Sequence, residues 1–326
     1  MTHKISLKKS FLWILAVLFL MEILLRIFSP LHLTGPIEAY EYDEVLGVKV
    51  KKNLSLVKIT DVRQEYFTNE IGTFNFEDTF TIFDKIIFAS GDSFTQGTGV
   101  PPSSSYPFNL YLNLNTSDIS TEQYGVVNLG LAAYGFDQSF LAIKHYYKDI
   151  KADYIVYLGV SNDNKDDFLF KSGYRHNHLV HGSPRFFGLG GSIGYLTNNS
   201  EILKRIKLIV SNKKINSLYK SQELKNTNIN FDKYIALKEF SELNNIKLFI
   251  SWYQCHNNEL DNYNNLKIWS KKNNVEFVDW CEDFNKIKSL NPNLPISNNH
   301  SSGHHRPWVY KIIAKNFSEK ILDDSK

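Results

Sequence analysis

Ile86-Ile87-Phe88-Ala89-Ser90-Gly91-Asp92-Ser93-Phe94-Thr95-Gln96-Gly97 is the stretch whose reading decides the fold. The run Ile86 to Ala89 needs no polar partner on either face, so it reads as a central parallel strand covered on both sides. Gly91 lets the backbone turn sharply. Ser93 is then left where the strand ends and a helix begins, beside backbone N–H groups that have no intrahelical partner. An α/β protein presents a nucleophile at such a junction.

Three later segments supply what a serine nucleophile lacks. Val126-Val127-Asn128-Leu129-Gly130 is a second short apolar strand ending in glycine, and Tyr154 to Asp163 is a third, ending in Gly159 and then Asn162. Ser302-Gly303-His304-His305-Arg306-Pro307 comes late and precedes an amphipathic helix. Ser93, Gly130, Asn162 and His304 thus stand in order at strand ends or in a late loop, the edge where open α/β sheets bind ligands. A serine hydroxyl needs a base to take its proton, and histidine is the usual one. The oxyanion formed on attack needs preorganised donors. The N–H groups of Ser93 and Gly130 and the amide of Asn162 are candidates. Each residue has a plainer reading: Ser93 as a helix N-cap, Asn162 in an Asx-turn, Gly130 as a turn glycine, His304 as an exposed loop residue. Their ordered coincidence favours a site for acyl transfer.

These blocks resemble the SGNH (GDSL-type) hydrolase family over roughly residues 85–320. Gly91-Asp92-Ser93 is similar to its first block, Gly130 to its second, Asn162 to its third and His304 to its last. Val127 to Gly130, continued by Tyr134-Gly135-Phe136-Asp137-Gln138, resembles the membrane-linked bacterial branch. The resemblance implies a flavodoxin-like three-layer α/β/α sandwich around a parallel five-stranded sheet. It also implies Ser93 and His304 as catalytic residues, an oxyanion hole of Ser93, Gly130 and Asn162, and neither cofactor nor metal, with Asp92 in support. The family carries an aspartate two or three residues before its histidine. Here those positions are Ser302 and Ser301. A Ser–His dyad with a carbonyl or a serine holding the imidazole, an acid from elsewhere, or a site turned to binding would each fit, and the intact Ser93, Gly130, Asn162 and His304 favour the first. His305 competes for the base role, and register favours His304.

The N-terminal end points to a membrane. Residues 11–28 are apolar apart from Glu22 and Arg26, and at about 1.5 Å per residue they nearly span a bilayer core. Lys4, Lys8 and Lys9 precede the run, and Glu38, Glu41, Asp43 and Glu44 follow it. The positive-inside tendency places residues 1–10 in the cytoplasm as a basic tail and the globular part outside. Ser29-Pro30-Leu31-His32 offers no small-x-small cleavage pattern, so an uncleaved signal anchor is expected. A formal net charge of +3 resides entirely in residues 1–32, leaving the remainder neutral. Nothing in that balance suggests a nucleic-acid footprint, which needs a basic patch, and no nucleic-acid partner is expected.

Residues 29–84 are expected to form a linker and a small β-rich lead-in, and 85–326 the hydrolase-like domain. Helices are expected near 104–114, 136–149, 232–245, 258–273 and 308–323, alternating with five strands. Residues 164–230 form an insertion whose aromatic, glycine-rich first half is expected to lid the site. His176, His178 and His181 there read as surface histidines rather than ligands. Cys255 and Cys281 each follow an apolar strand-like run, so neighbouring strands would permit a disulfide or leave two free thiols. The expected function is an outward-facing esterase that removes acyl groups, acetyl above all, from an envelope glycan or similar ester. An O-acyltransferase with the same Ser–His site and a catalytically silent glycan-binding module are the alternatives.

Overall fold

The computed structural model describes residues 7–29, 39–59, 63–75, 80–171, 200–203, 205, 206, 209, 229–298 and 303–325. Helix α1 (Leu7–Phe28) comes first. It is long and apolar enough to cross a membrane, and none of that apolar window is buried against the protein.

Two antiparallel hairpins follow: β1 (Tyr40–Asp43) with β2 (Gly47–Val50), and β3 (Ser55–Ile59) with β4 (Arg63–Phe67). Asp43 closes the first by accepting the N–H groups of Val45 and Leu46 at 2.9 and 2.8 Å, as Asx side chains do in turns. Tyr40, Leu46, Val48, Val50 and Tyr66 pack on Leu131, Tyr134 and Ala142, making a second, smaller core. Tyr134 donates its hydroxyl to the Val48 carbonyl, and Gln138 donates to that of Leu46. The lead-in therefore buttresses the chain around residues 131–142.

The main unit alternates strand and helix. Strand β5 (Lys85–Gly91) leads through α2 (Ser93–Gln96) and α3 (Tyr106–Asn115) to β6 (Tyr124–Asn128). Helix α4 (Phe136–Tyr146), strand β7 (Tyr154–Gly159) and helix α5 (Asp163–Lys171) follow. After the insertion come α6 (Phe231–Leu243), β8 (Lys247–Trp252), α7 (Leu260–Lys272), β9 (Glu276–Phe277), α8 (Cys281–Leu290) and α9 (Pro307–Asp324). The sheet order is β6-β5-β7-β8-β9, with every pair parallel. This is the doubly wound order in which the chain departs to opposite sides of its first sheet strand.

The expected α/β fold with a five-stranded parallel sheet is the one observed. Its cause is visible in β5 and β7, whose interior residues are buried and almost wholly apolar, as strands covered on both faces must be. Helices α3 and α9 pack through stacked Tyr106 and Phe317, and α4 meets α6 through Phe140–Phe240 and Phe136–Tyr234. The outer edge of β6 is finished by Asn75, whose amide donates to the Val126 carbonyl and accepts the Asn128 N–H at 2.8 Å. One side chain thereby supplies the pairing that an edge strand otherwise lacks.

Candidate active site

The site lies at the carboxyl end of β5, between β6 and β7. Gly91 ends the strand at φ +151, and a Cβ there would fall 2.3 Å from Thr95 Oγ1 and 2.9 Å from the Leu158 carbonyl. Only glycine allows α2 to turn back this closely. Asp92 is the N-cap of α2, so Ser93 is its first helical residue and not the cap. Asp92 Oδ1 accepts the Phe94 N–H at 2.8 Å, and Oδ2 accepts the Ser93 hydroxyl at 3.2 Å.

His304 reaches Ser93 from the far end of the chain, with Nε2 2.7 Å from Oγ. Its ring packs on Phe94 at 4.8 Å between centroids. Burial lowers its pKa to about 4, because charging an imidazole away from water is unfavourable. At neutral pH the ring is therefore uncharged, the form that can accept a proton. His305 sits differently. It is fully buried among Phe94, Tyr253, Trp280 and Tyr310, with Nε2 2.5 Å from the Tyr253 carbonyl. The chain thus brings His304 to Ser93 and uses His305 for packing.

Asn298 secures the histidine loop. Its N–H donates to the His304 carbonyl at 2.8 Å, and its amide donates to the Gly99 carbonyl at 2.9 Å. It thereby joins the loop after α2 to the loop before α9. The sequence reading missed it, because an asparagine in an Asn-rich tract carries no distinguishing local signal. Ser301 and Ser302 lie outside the described residues, as do His176, His178 and His181.

Asn162 follows β7 and donates to Asp166 Oδ2 at 2.7 Å. Its amide also hydrogen-bonds the Asp92 carboxyl, which burial nevertheless raises to about 7. Asp166 and Asp167 were not singled out from the sequence, although Asn162 and Asp166 stand four apart at the start of a helix, where they face one another. Asp167 is buried, pairs with Lys233 and accepts the Asp137 N–H at 2.8 Å. These contacts tie α5 to α4 and α6.

The expectation for Gly130 needs correction. Its N–H donates to Asn128 Oδ1 at 3.0 Å, so it is engaged within its own turn and not free to meet an oxyanion. The glycine is required for a different reason: a Cβ would lie 2.4 Å from the Gln96 nitrogen and 2.6 Å from the Thr95 carbonyl carbon. Gly130 allows the β6 turn to pass directly against α2. Ala132 adds to that junction by donating its N–H to Gln96 Oε1 at 2.6 Å.

The same turn holds Ala133 at φ +74, with the Tyr134 N–H donating to the Leu131 carbonyl at 3.0 Å. Glycine is the usual occupant of such a third turn position. Replacing Ala133 with glycine is expected to stabilise the fold by about 0.5–1 kcal/mol, the strain relieved less the added chain entropy. Urea unfolding measures this, and a lower midpoint would contradict it.

Cys255 and Cys281, open between two states from the sequence, are free thiols here. The Cys281 thiol lies 3.4 Å from the Cys255 carbonyl oxygen. Among the described residues, no group of three or more His, Cys, Asp or Glu is arranged to hold a metal ion.

No protein-family model matches the chain, and no curated protein does. Solved structures with low sequence identity are similar to it. A member of the lipolytic protein G-D-S-L family from Veillonella parvula is 12% identical, with 72% of this chain and 97% of that one covered and a TM-score of 0.38. An acetyl xylan esterase is 15% identical, with 72% and 99% covered and a TM-score of 0.43. The lipase/acylhydrolase from Enterococcus faecalis is 12% identical, with 74% and 96% covered and a TM-score of 0.40.

Proposed function

We propose that this chain is a membrane-anchored serine ester hydrolase of the SGNH type. The observation that carries the reading is the 2.7 Å contact between Ser93 Oγ and His304 Nε2 at the carboxyl edge of a parallel sheet. Ser93 Oγ attacks the ester carbonyl while Nε2 accepts its proton. The oxyanion is met by the Ser93 N–H, while the Asn162 amide, which donates to Asp166 and hydrogen-bonds Asp92, holds the acidic side of the site in place. His304 then gives its proton to the departing alcohol, leaving an acyl-serine. Water, deprotonated by the same nitrogen, releases the acid and restores Ser93. Asp92 Oδ2, 3.2 Å from Oγ, is the other acceptor within reach of the single hydroxyl proton and gives it up to Nε2 as attack begins.

Helix α1 is read as an uncleaved anchor with its N-terminus in the cytoplasm and the domain outside, on the strength of the basic residues preceding it. An outward location, a neutral domain surface and the aromatic insertion support an acylated envelope glycan, acetylated above all, as the substrate. The test is labelling of the detergent-solubilised full chain with a fluorophosphonate, followed by peptide mapping. An adduct on Ser93 that disappears in Ser93→Ala and His304→Ala is the expected result. A folded chain that takes no label would turn the reading towards a binding module.

The buried imidazole also sets a pH dependence. His304 must be neutral to act as a base, and its pKa is lowered to about 4 by burial. The acid limb of kcat/KM is therefore expected near pH 4, below the ordinary histidine value of about 6.5. A half-maximal point near 6.5 would show that the ring is solvated or paired with a carboxylate in the free enzyme.

A further inference from the structure

Glu22 stands in the apolar run of α1, where a carboxylate needs partners. Arg26, one turn on, donates to it at 2.8 Å. Three further donors come from the insertion: Ser200 Oγ at 2.9 Å, the Glu201 N–H at 2.9 Å and the Ile202 N–H at 3.1 Å. The two N–H groups belong to the first turn of a helical segment, where they have no intrahelical acceptor. The anchor's carboxylate thus caps a second segment remote in sequence.

A second fastening lies further along. Arg205 donates to Ser29 Oγ at 3.2 Å and to the Ser29 carbonyl, while Glu201 Oε2 accepts from the same guanidinium at 2.7 Å. The partners run from Glu22 to Ser29 on one side and from Ser200 to Arg205 on the other. The segment therefore starts at the depth of Glu22 and follows α1 towards its end. Leu203, Ile206 and Ile209 are 36%, 52% and 57% exposed. Their spacing of three places them along one side of a helix. Lys204, Arg205 and Lys207 are interleaved with them in the sequence.

We propose that Ser200 to Leu203, Arg205, Ile206 and Ile209 belong to a second membrane-contact element, seated on the anchor, that rests Leu203, Ile206 and Ile209 in the outer-leaflet interface of a bilayer with anionic headgroups. This rests on α1 being a membrane anchor. Two features name lipid as the occupant. The segment is fixed at the depth of a residue inside the apolar run, and apolar side chains interleaved with cations suit an anionic interface.

The test uses the full chain in nanodiscs of phosphatidylcholine and phosphatidylglycerol that carry a photoactivatable diazirine phospholipid. Cross-linked peptides are mapped by mass spectrometry. Adducts on residues 11–28 and also on 203–209, with none around the exposed Leu243, are expected. Ile206→Asp with Ile209→Asp should then lose severalfold in adducts on 203–209 and keep those on 11–28. Adducts on 11–28 alone would overturn the proposal and leave the anchor standing. No adducts on 11–28 would overturn the anchor reading itself, and the proposal with it.

Discussion

His304→Ala is expected to lower kcat/KM for an acetyl ester by about 10⁴-fold or more, as loss of one member of a nucleophile–base pair does in serine hydrolases. Nε2 is the ring nitrogen that lies on Ser93 Oγ. Ser93→Ala should cost about as much, and the double variant little more, because the two groups act as one unit. The neighbouring histidine provides the contrast. His305 is packed between four aromatic rings and held to a backbone carbonyl. His305→Ala should therefore destabilise the fold by about 3 kcal/mol through lost packing. Steady-state kinetics beside urea unfolding separates the two. A large rate loss for His305→Ala at unchanged stability would reverse the assignment.

Gly130→Ala is expected to be among the most disruptive single methyl additions to the domain. The new carbon would meet backbone atoms of Thr95 and Gln96 at 2.4–2.6 Å, and backbone cannot rotate away as a flexible side chain can. Overpacking of this kind costs about 1–3 kcal/mol, and more where the neighbours are rigid. The displaced element is α2, which carries Ser93 at its first position. Activity should fall together with stability, although the methyl group touches neither Ser93 nor His304. Thermal unfolding and fluorophosphonate labelling rate are the two readouts. Unchanged stability with lost activity would restore Gly130 to a direct part in the chemistry.

Much of the sheet was legible because its signals are local. Strands β5, β6, β7 and β8 are short, largely apolar runs, the first three ending at glycine or asparagine, and parallel strands buried on both faces have that composition. Helix α8 was not anticipated: Trp280 stands at its N-cap without a capping side chain, and the first helical N–H, that of Cys281, is instead taken by Asp279 Oδ1 from one position further back. The wide insertion was recognised as one, yet its attachment to α1 was not. Nothing in Glu22 or Ser200 taken singly announces a partner 178 residues away.

By itself the sequence determined the class of fold, the apolar N-terminal helix, and the order in which Ser93, Asn162 and His304 arrive at the sheet edge. Each follows from residue type and short-range spacing, which act within a strand or a turn. Only the tertiary structure decided which histidine meets Ser93, across 211 residues. It alone showed that Gly130 serves close packing while its N–H is taken by Asn128. It also showed that Asn298 clamps the histidine loop onto Gly99, 199 residues distant. These outcomes depend on which surfaces meet once the sheet is wound. A hydrogen bond or a 2.4 Å approach between distant segments is a property of that packing, and no local pattern encodes it.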